Sequence, residues 1–323
     1  MHRKKYTRIF FATDIHGSER TFKKFLRAAE FYKADVLVLG GDMTGKMVVP
    51  IVELGDGTHM ANYLGREEIL KTSEELHRME QIIAGSGYYF YRCSKGEMEE
   101  LRASQEKVDR LFLDIMKETL RRWVADAEKA LANSDAVCYI TGGNDDLQQV
   151  VDEAKDTEHV RNVDNKVIKI DALHEMLSIG WSNPTPWKCA RECTDEELGE
   201  RIEKLVTSAA DLSNCLFNFH TPPKDCGLDT VMKLDDSVDP PRPVFEEGQP
   251  VMIGAGSRSV LDAIRKYQPL VDLCGHVHES RGGLKIGRTL IVNPGSEYTE
   301  GVLRGAIVNL GDKKVISWQL TSG

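Results

Sequence analysis

The sequence predicts an α/β fold with parallel strands buried on both faces. Two observations near the N-terminus predict it. Residues 8–13 and 36–39 are short apolar runs, each ending in glycine and aspartate. Between them, residues 19–33 have helical spacing, with Phe22, Phe25, Leu26 and Ala29 on one face. A strand, a helix and a strand of these lengths form a βαβ unit, whose strands read as continuous apolar runs.

The 323 residues suffice for one large domain or two modest ones. We expect one domain over residues 1–323, interrupted by an insertion at 46–131. Hydrophobic residues make up 41% and charged residues 29%, ordinary values for a globular chain. The net charge of −9 argues against a broad electrostatic grip on nucleic acid or anionic lipid. Seven cysteines stand at 93, 138, 189, 193, 215, 226 and 274, without a CxxC pair. Cys138, Cys215 and Cys274 sit in apolar runs as small hydrophobes, and Cys189 and Cys193 can share a helical face. This usage fits a reducing compartment. The basic residues 1–8 precede an apolar run too short for a signal peptide. No apolar stretch approaches the roughly 18 residues of a membrane span. The expected location is the cytoplasm.

Residues 46–131 break the α/β rhythm. Segments 48–54 and 59–64, joined by Gly55-Asp56-Gly57, read as a β-hairpin. Thr72 with Glu75, and Ser94 with Glu97, have capping-box spacing. Leu76, Met79 and Ile83 form the stripe behind the first box, and Gly85 and Gly87 end that helix. From Met98 to Val124 the helical spacing continues, as one long helix or two stacked ones. The expected role is a helical insertion packed on the main domain, with partner binding as the alternative.

The rhythm resumes at 137–141, followed by Gly142-Gly143-Asn144-Asp145-Asp146. Segments 167–170 and 176–180 read as adjacent strands, and 181–187 as a proline-shaped loop. Thr194 and Glu197 cap a helix with Leu198, Ile202, Leu205 and Val206 inward. Cys215–Phe219 is a strand delivering His220. Residues 221–250 hold six of the chain's 11 prolines and read as a long surface excursion. Ser257 caps a helix through Tyr267, and 271–274 is a strand delivering Gly275-His276-Val277-His278. Segments 290–292, 305–309 and 315–320 complete a strand-rich end.

Five times, an apolar strand thus runs out into metal-capable side chains: Asp14 with His16, Asp42, Asn144, His220, and His276 with His278. In open α/β sheets, ligands bind at the C-terminal strand edge. In each i, i+2 pair the side chains leave an extended chain on the same side. Each of these residues alone has a plain structural explanation; the ordered set carries the weight. His2, His59, His77, His159 and His174 fit no such pattern and read as structural or solvated.

Asp14-Ile15-His16, Gly41-Asp42, Gly143-Asn144-Asp145-Asp146, His220 and Gly275-His276-Val277-His278, in this order, resemble the motif blocks of the calcineurin-like metallophosphoesterases. The resemblance spans residue 9 to about 300, apart from the insertion. It implies a four-layer αββα sandwich of two mixed β-sheets flanked by helices, with a dinuclear centre at one sheet edge. It also implies that Asp14, His16 and His278 hold one metal, that Asn144, His220 and His276 hold a second, and that Asp42 bridges them. Two divalent ions are expected, with manganese first and iron, zinc or nickel as alternatives. The implied reaction is hydrolysis of a phosphate ester by a metal-activated water.

The chain departs from the family in one position. Many members carry histidine directly after the motif asparagine, where it assists the leaving group. Here Asp145 and Asp146 follow, and a carboxylate paired with a carboxylate can have a raised pKa and act as an acid; the alternative is a preference for leaving groups that need no protonation. Members without that histidine lean towards phosphodiesters. The arginine that follows the second block in protein phosphatases is absent. Lys46 stands close by and reads as an exposed lysine, with phosphate contact as the alternative. Asn293 and Ser296, in a turn that recurs near the site in the family, are expected to line the phosphate pocket, with a plain turn as the alternative. The loop 181–187 either shapes substrate selection or packs. Gly256-Ser257-Arg258 reads as a plain N-cap, with phosphate binding as the alternative.

The expected activity is therefore a dinuclear phosphodiesterase acting on a small-molecule or nucleotide phosphoester, away from membranes and extended nucleic acid. A homo-oligomer stays open. One alternative is a phosphomonoesterase or nucleotidase of the same fold. The other is a non-catalytic scaffold that binds partners through the helical insertion.

Overall fold

A computed structural model describes residues 6–323; His2 and most of the basic segment 1–8 lie outside the described residues. Two six-stranded mixed sheets form the centre. The first runs in the order Val160–Asn162, Val137–Ile140, Val36–Leu39, Thr7–Ala12, Arg304–Gly311, Lys314–Ser322. Its first four strands are parallel and its last two antiparallel. The second runs Gly282–Ile286, Thr289–Asn293, Val271–Leu273, Cys215–Phe219, Glu175–Ile179, Val167–Lys169. Its four inner strands are parallel, and an antiparallel strand closes each edge.

The period of two along each strand sorts the layers. Ile9, Phe11, Val36 and Val38 point between the sheets, onto Met176, Leu216, Val271, Leu273 and Val292. The alternate residues Phe10, Leu37 and Leu39 face outward. They pack under helices Glu19–Tyr32 and Gln105–Leu131, through Phe22, Phe25, Leu120 and Trp123. On the far side, Leu177, Ile179, Phe217 and Phe219 pack under helices Asp195–Val206 and Arg258–Tyr267. Helix, sheet, sheet, helix is the four-layer α/β sandwich expected.

The hairpin in the 46–131 segment is Val48–Glu53 paired with His59–Tyr63. Arg66–Leu70 and Tyr89–Ser94 extend it to a four-stranded sheet, two strands more than the sequence reading recognised. Both capping boxes form. Helix Ser73–Gly85 lays Leu76, Met79 and Ile83 on one face of this sheet. The following helical run is two helices, Lys95–Arg102 and Gln105–Leu131, with the side chain of Ser104 capping the second. The C-terminal half of that second helix buries Leu120, Trp123 and Ala127 against the first main sheet. Its indole stacks on Phe22, ring centroids 4.1 Å apart. The long helix therefore belongs to the outer layer of the sandwich as well as to the segment that introduces it.

Residues 221–254 run as a ribbon rather than a featureless loop. Thr230–Met232 pairs with Met252–Gly254, and two shorter ladders continue outward from it. Cys189 and Cys193 share no helical face, because Pro184 and Pro186 keep their segment irregular. All seven cysteines are free, and Cys138, Cys215 and Cys274 are buried. His174 is a satisfied core histidine, its Nδ1 2.7 Å from Asp171 Oδ2 and its Nε2 3.1 Å from the Gly311 carbonyl. Among the described residues, no helix is long and apolar enough to cross a membrane.

Candidate metal centre

The parallel strands of both sheets end at one edge, and their C-terminal loops meet there. These loops are tied to one another by backbone hydrogen bonds. The N–H groups of Asp14, His16 and Gly17 donate to the carbonyls of Gly41, Asp42 and Met43, at 2.9, 3.0 and 2.7 Å. Within the second sheet, Gly275 N–H donates to the His220 carbonyl at 2.9 Å. Asp14, His16, Asp42 and His276 all have left-handed backbone, with φ of 54°, 39°, 47° and 66°. Such conformations cost on the order of 1–3 kcal/mol each outside glycine, and they cluster at functional sites. Gly143 lets two of the loops touch: a Cβ there would lie 2.1 Å from Asp42 Oδ1.

The seven predicted ligands come together. Asp14, His16, Asp42, Asn144 and His220 are buried, and His276 and His278 are partly open to solvent. Nε2 of His16 and Nε2 of His278 lie 3.1 Å apart, and His278 Nε2 is 3.3 Å from Asp14 Oδ1. On the other side, Asn144 Oδ1 faces His220 Nε2 at 3.1 Å and His276 Nδ1 at 2.8 Å. Asp42 stands between the groups, with Oδ2 3.7 Å from His16 Nε2 and Oδ1 3.5 Å from His220 Nε2. Asp14 also reaches both groups, its Oδ1 being 3.9 Å from His220 Nε2.

The electrostatics follow from stacking carboxylates and imidazoles in one buried place. Burial opposes ionisation of Asp14, yet its hydrogen bond to His278 and the charge of His220 hold it below the usual carboxylate range. Burial likewise opposes ionisation of Asp42, and His220 outweighs it, leaving that carboxyl well below the usual range. Burial disfavours a charged His220, but Asp42 raises it to about 9. Burial lowers His16 to about 4, and burial followed by the charge of His220 lowers His276 to about 4.

This donor set fits divalent cations. Three overlapping triads, Asp14–His16–His278, Asp14–Asp42–His220 and His16–Asp42–Asp145, each have donor atoms within 4.8 Å of one another. The buried His16 Nδ1 has no hydrogen-bond partner. Mixed imidazole and carboxylate donors suit transition metals better than calcium.

Three expectations need correction. Asp145 and Asp146 do not pair as two carboxylates. Asp146 is fully buried and accepts hydrogen bonds from Gly143 N–H at 2.8 Å, Met43 N–H at 3.0 Å, and Thr44 N–H and Oγ1 at 2.9 and 2.7 Å. It clamps the Asp42 loop to the Asn144 loop. Asp145 faces the site with an ammonium as partner: Lys46 Nζ is 2.8 Å from its Oδ2. Lys46 is thus drawn to the rim of the centre. Burial opposes its charge, but Asp145 raises it to about 12.

Asn293 does not face the centre either. It is fully buried, donating to the Val277 carbonyl at 2.9 Å and accepting from Gly295 N–H at 2.8 Å. Ser296 Oγ donates to the Asp14 carbonyl at 2.5 Å, and its N–H to the His278 carbonyl at 3.1 Å. Both residues brace ligand loops through backbone groups. Ser257 is a plain N-cap: its Oγ accepts from Val260 N–H at 3.1 Å and donates to Asp195.

Three contributors were missed. Tyr298 packs its ring on His16 and His278, at centroid distances of 4.7 and 6.0 Å. Its only sequence signal was nearness to the Asn293–Ser296 turn. Arg191 donates its backbone N–H to the Asn144 carbonyl at 3.1 Å and pairs, fully buried, with Asp164 Oδ1 at 2.7 Å. Cys189 Sγ lies 2.7 Å from Asp145 Oδ1. Nothing local in the sequence marks either residue.

No family model matches the chain. An uncharacterized protein of Methanocaldococcus jannaschii is 33% identical over 154 residues, 47% of this chain and 61% of that protein. The aligned part thus spans less than two thirds of that relative's length. A solved crystal structure from Thermus thermophilus superimposes with a TM-score of 0.52 at 14% identity, covering 98% of each chain. A further solved structure gives a TM-score of 0.57 at 15% identity, again over 98% of each chain. At these identities the likeness shows that the fold is shared.

Proposed function

We propose that this chain is a calcineurin-like phosphoester hydrolase that works with two divalent ions and prefers phosphodiesters. The observation that carries the reading is the convergence of seven metal-capable side chains from five strand ends, with triads of donor atoms inside 4.8 Å. Asp14, His16 and His278 would hold one ion, Asn144, His220 and His276 the other, and Asp42 both. Manganese is the first choice of ion. Residues 46–131 are read as an insertion in a single domain.

Bound ions supply Lewis-acid charge for the phosphoryl oxygens and lower the pKa of a water towards neutrality. The protein's own residues position and neutralise. Lys46, at the rim, offers a cation to a non-bridging phosphate oxygen. Asp145 supports the diester preference. A histidine at that position could assist a leaving group, whereas a carboxylate adds negative charge beside the substrate. A dianionic monoester is repelled by it more than a monoanionic diester.

The test is metal content read together with hydrolysis of bis(4-nitrophenyl) phosphate and 4-nitrophenyl phosphate after adding Mn²⁺. The wild type is expected to bind two ions and to favour the diester, and Asp42→Asn and His276→Ala to lose most of that activity. Wild-type protein that binds no divalent ion and cleaves neither compound would sink the reading.

A further inference from the structure

The loop between the strand Glu175–Ile179 and the helix Asp195–Val206 is fastened to the ligand loops on two sides. Towards Asn144 it is held by the Arg191 N–H and by Cys189, whose Sγ lies 2.7 Å from Asp145 Oδ1. Towards His220 it is held by Asn183, whose Oδ1 accepts from Thr221 Oγ1 at 3.1 Å. The loop is also stiff within itself. Glu192 accepts from Thr185 N–H and Oγ1 at 3.1 and 2.5 Å, and Thr185 Oγ1 in turn accepts from Trp187 N–H at 3.2 Å. Lys188 takes a left-handed turn, with φ of 51°.

The loop's two tryptophans have opposite fates. Trp181 is covered by the guanidinium of Arg201, 4.0 Å from its ring centroid. Trp187 is 61% exposed. Among the described residues its ring meets no other ring and no cation. Two residues of chain span at most about 7 Å, so Trp187 stands close to the Cys189 contact with Asp145. An anchored loop thus carries a largely exposed indole two residues from a contact with Asp145. The flat face of an indole suits a planar aromatic ligand, and stacking of this kind is tolerant of which base is presented.

We propose that Trp187 is a stacking platform for the aromatic part of the substrate, so that the substrate class is nucleoside phosphoesters, the base lying on the indole while the phosphate occupies the metal centre. The proposal rests on the hydrolase reading above and adds the identity of the group esterified to phosphate.

The test is calorimetric titration of the Mn²⁺-loaded protein with AMP and with inorganic phosphate. AMP is expected to bind wild type about tenfold more tightly than phosphate. Trp187→Ala is expected to lose about that factor for AMP while keeping its phosphate affinity, and Trp187→Phe to keep most of the AMP affinity. AMP binding no tighter than phosphate, or an equal loss for both ligands in Trp187→Ala, overturns the platform and leaves the hydrolase site standing. Wild type that fails to bind phosphate overturns the hydrolase site and the platform together.

Discussion

Lys46 Nζ lies 2.8 Å from Asp145 Oδ2, at the mouth of the centre and four residues beyond Asp42. On the proposed function, the pair gives the site a cation that can move from a carboxylate of the protein to an oxygen of the substrate. Removing it leaves Asp145 facing an anionic substrate without compensation. Lys46→Met is therefore expected to raise KM for a phosphodiester by roughly tenfold, with a smaller effect on kcat, because a charged hydrogen bond contributes about 1.5–3 kcal/mol. Lys46→Arg should recover most of the loss. Steady-state kinetics of the three proteins check this, and an unchanged KM in Lys46→Met would place Lys46 outside substrate binding.

Metal binding should be visible as stability. The site gathers ionised carboxylates in a buried place, and a bound cation stabilises only the folded state that brings them together. At about 100 times its Kd, a divalent ion adds roughly 2.7 kcal/mol per site. The expected outcome is a melting temperature several degrees higher with Mn²⁺ than with EDTA. The difference should shrink in Asp42→Asn, which removes the carboxylate shared by both ligand groups. Differential scanning calorimetry with and without chelator decides it.

Asp146 is expected to matter for folding rather than for protonation. Asparagine at that position offers one acceptor oxygen where the carboxylate serves three N–H groups and a hydroxyl. Asp146→Asn should cost about 2–3 kcal/mol in urea unfolding, through N–H groups left without partners. Whatever activity it retains should follow the wild-type pH profile. A lost acid limb in that profile would restore the proton-donor role.

Asp272 supplies a pH dependence that does not involve the centre. It is fully buried in the strand Val271–Leu273, both carboxylate oxygens lack partners, and burial pushes its pKa well above 3.8. With the folded pKa above the unfolded one, both states are protonated in acid and ionisation of the residue costs nothing there. Stability is lost as pH rises from about 3.8 through the folded value, and stays lost above it. Asp272→Asn is expected to stabilise the protein by about 1–3 kcal/mol at alkaline pH, and by much less in acid. Urea midpoints across that range measure it, and a variant destabilised at every pH contradicts it.

The βαβ start, the capping boxes at Thr72, Ser94 and Thr194, and the strands that deliver His220 and His276 were legible because their signals are local. A period of two or of 3.6 and a cap three residues from its partner need only a short window. The extra strands Arg66–Leu70 and Tyr89–Ser94 were missed for the converse reason. Arg66–Leu70 is a mostly exposed edge strand of charged residues, and Tyr89–Ser94 alternates without a clear apolar face. Asn293 and Ser296 were placed near the centre by motif order, but only the fold turns their side chains onto backbone groups.

By itself the sequence determined the fold class and the seven side chains that converge. Strand ends in a parallel α/β sheet share one edge, so residues that follow such strands are already neighbours. Only the tertiary structure decided what surrounds them. Lys46 meets Asp145 across 99 positions of chain, Cys189 meets the same carboxylate across 44, and Arg191 meets Asp164 across 27. No window of sequence holds both partners of such a contact. Which of two adjacent aspartates faces the centre and which is buried depends on where the backbone turns between them, and packing of the two sheets sets that turn.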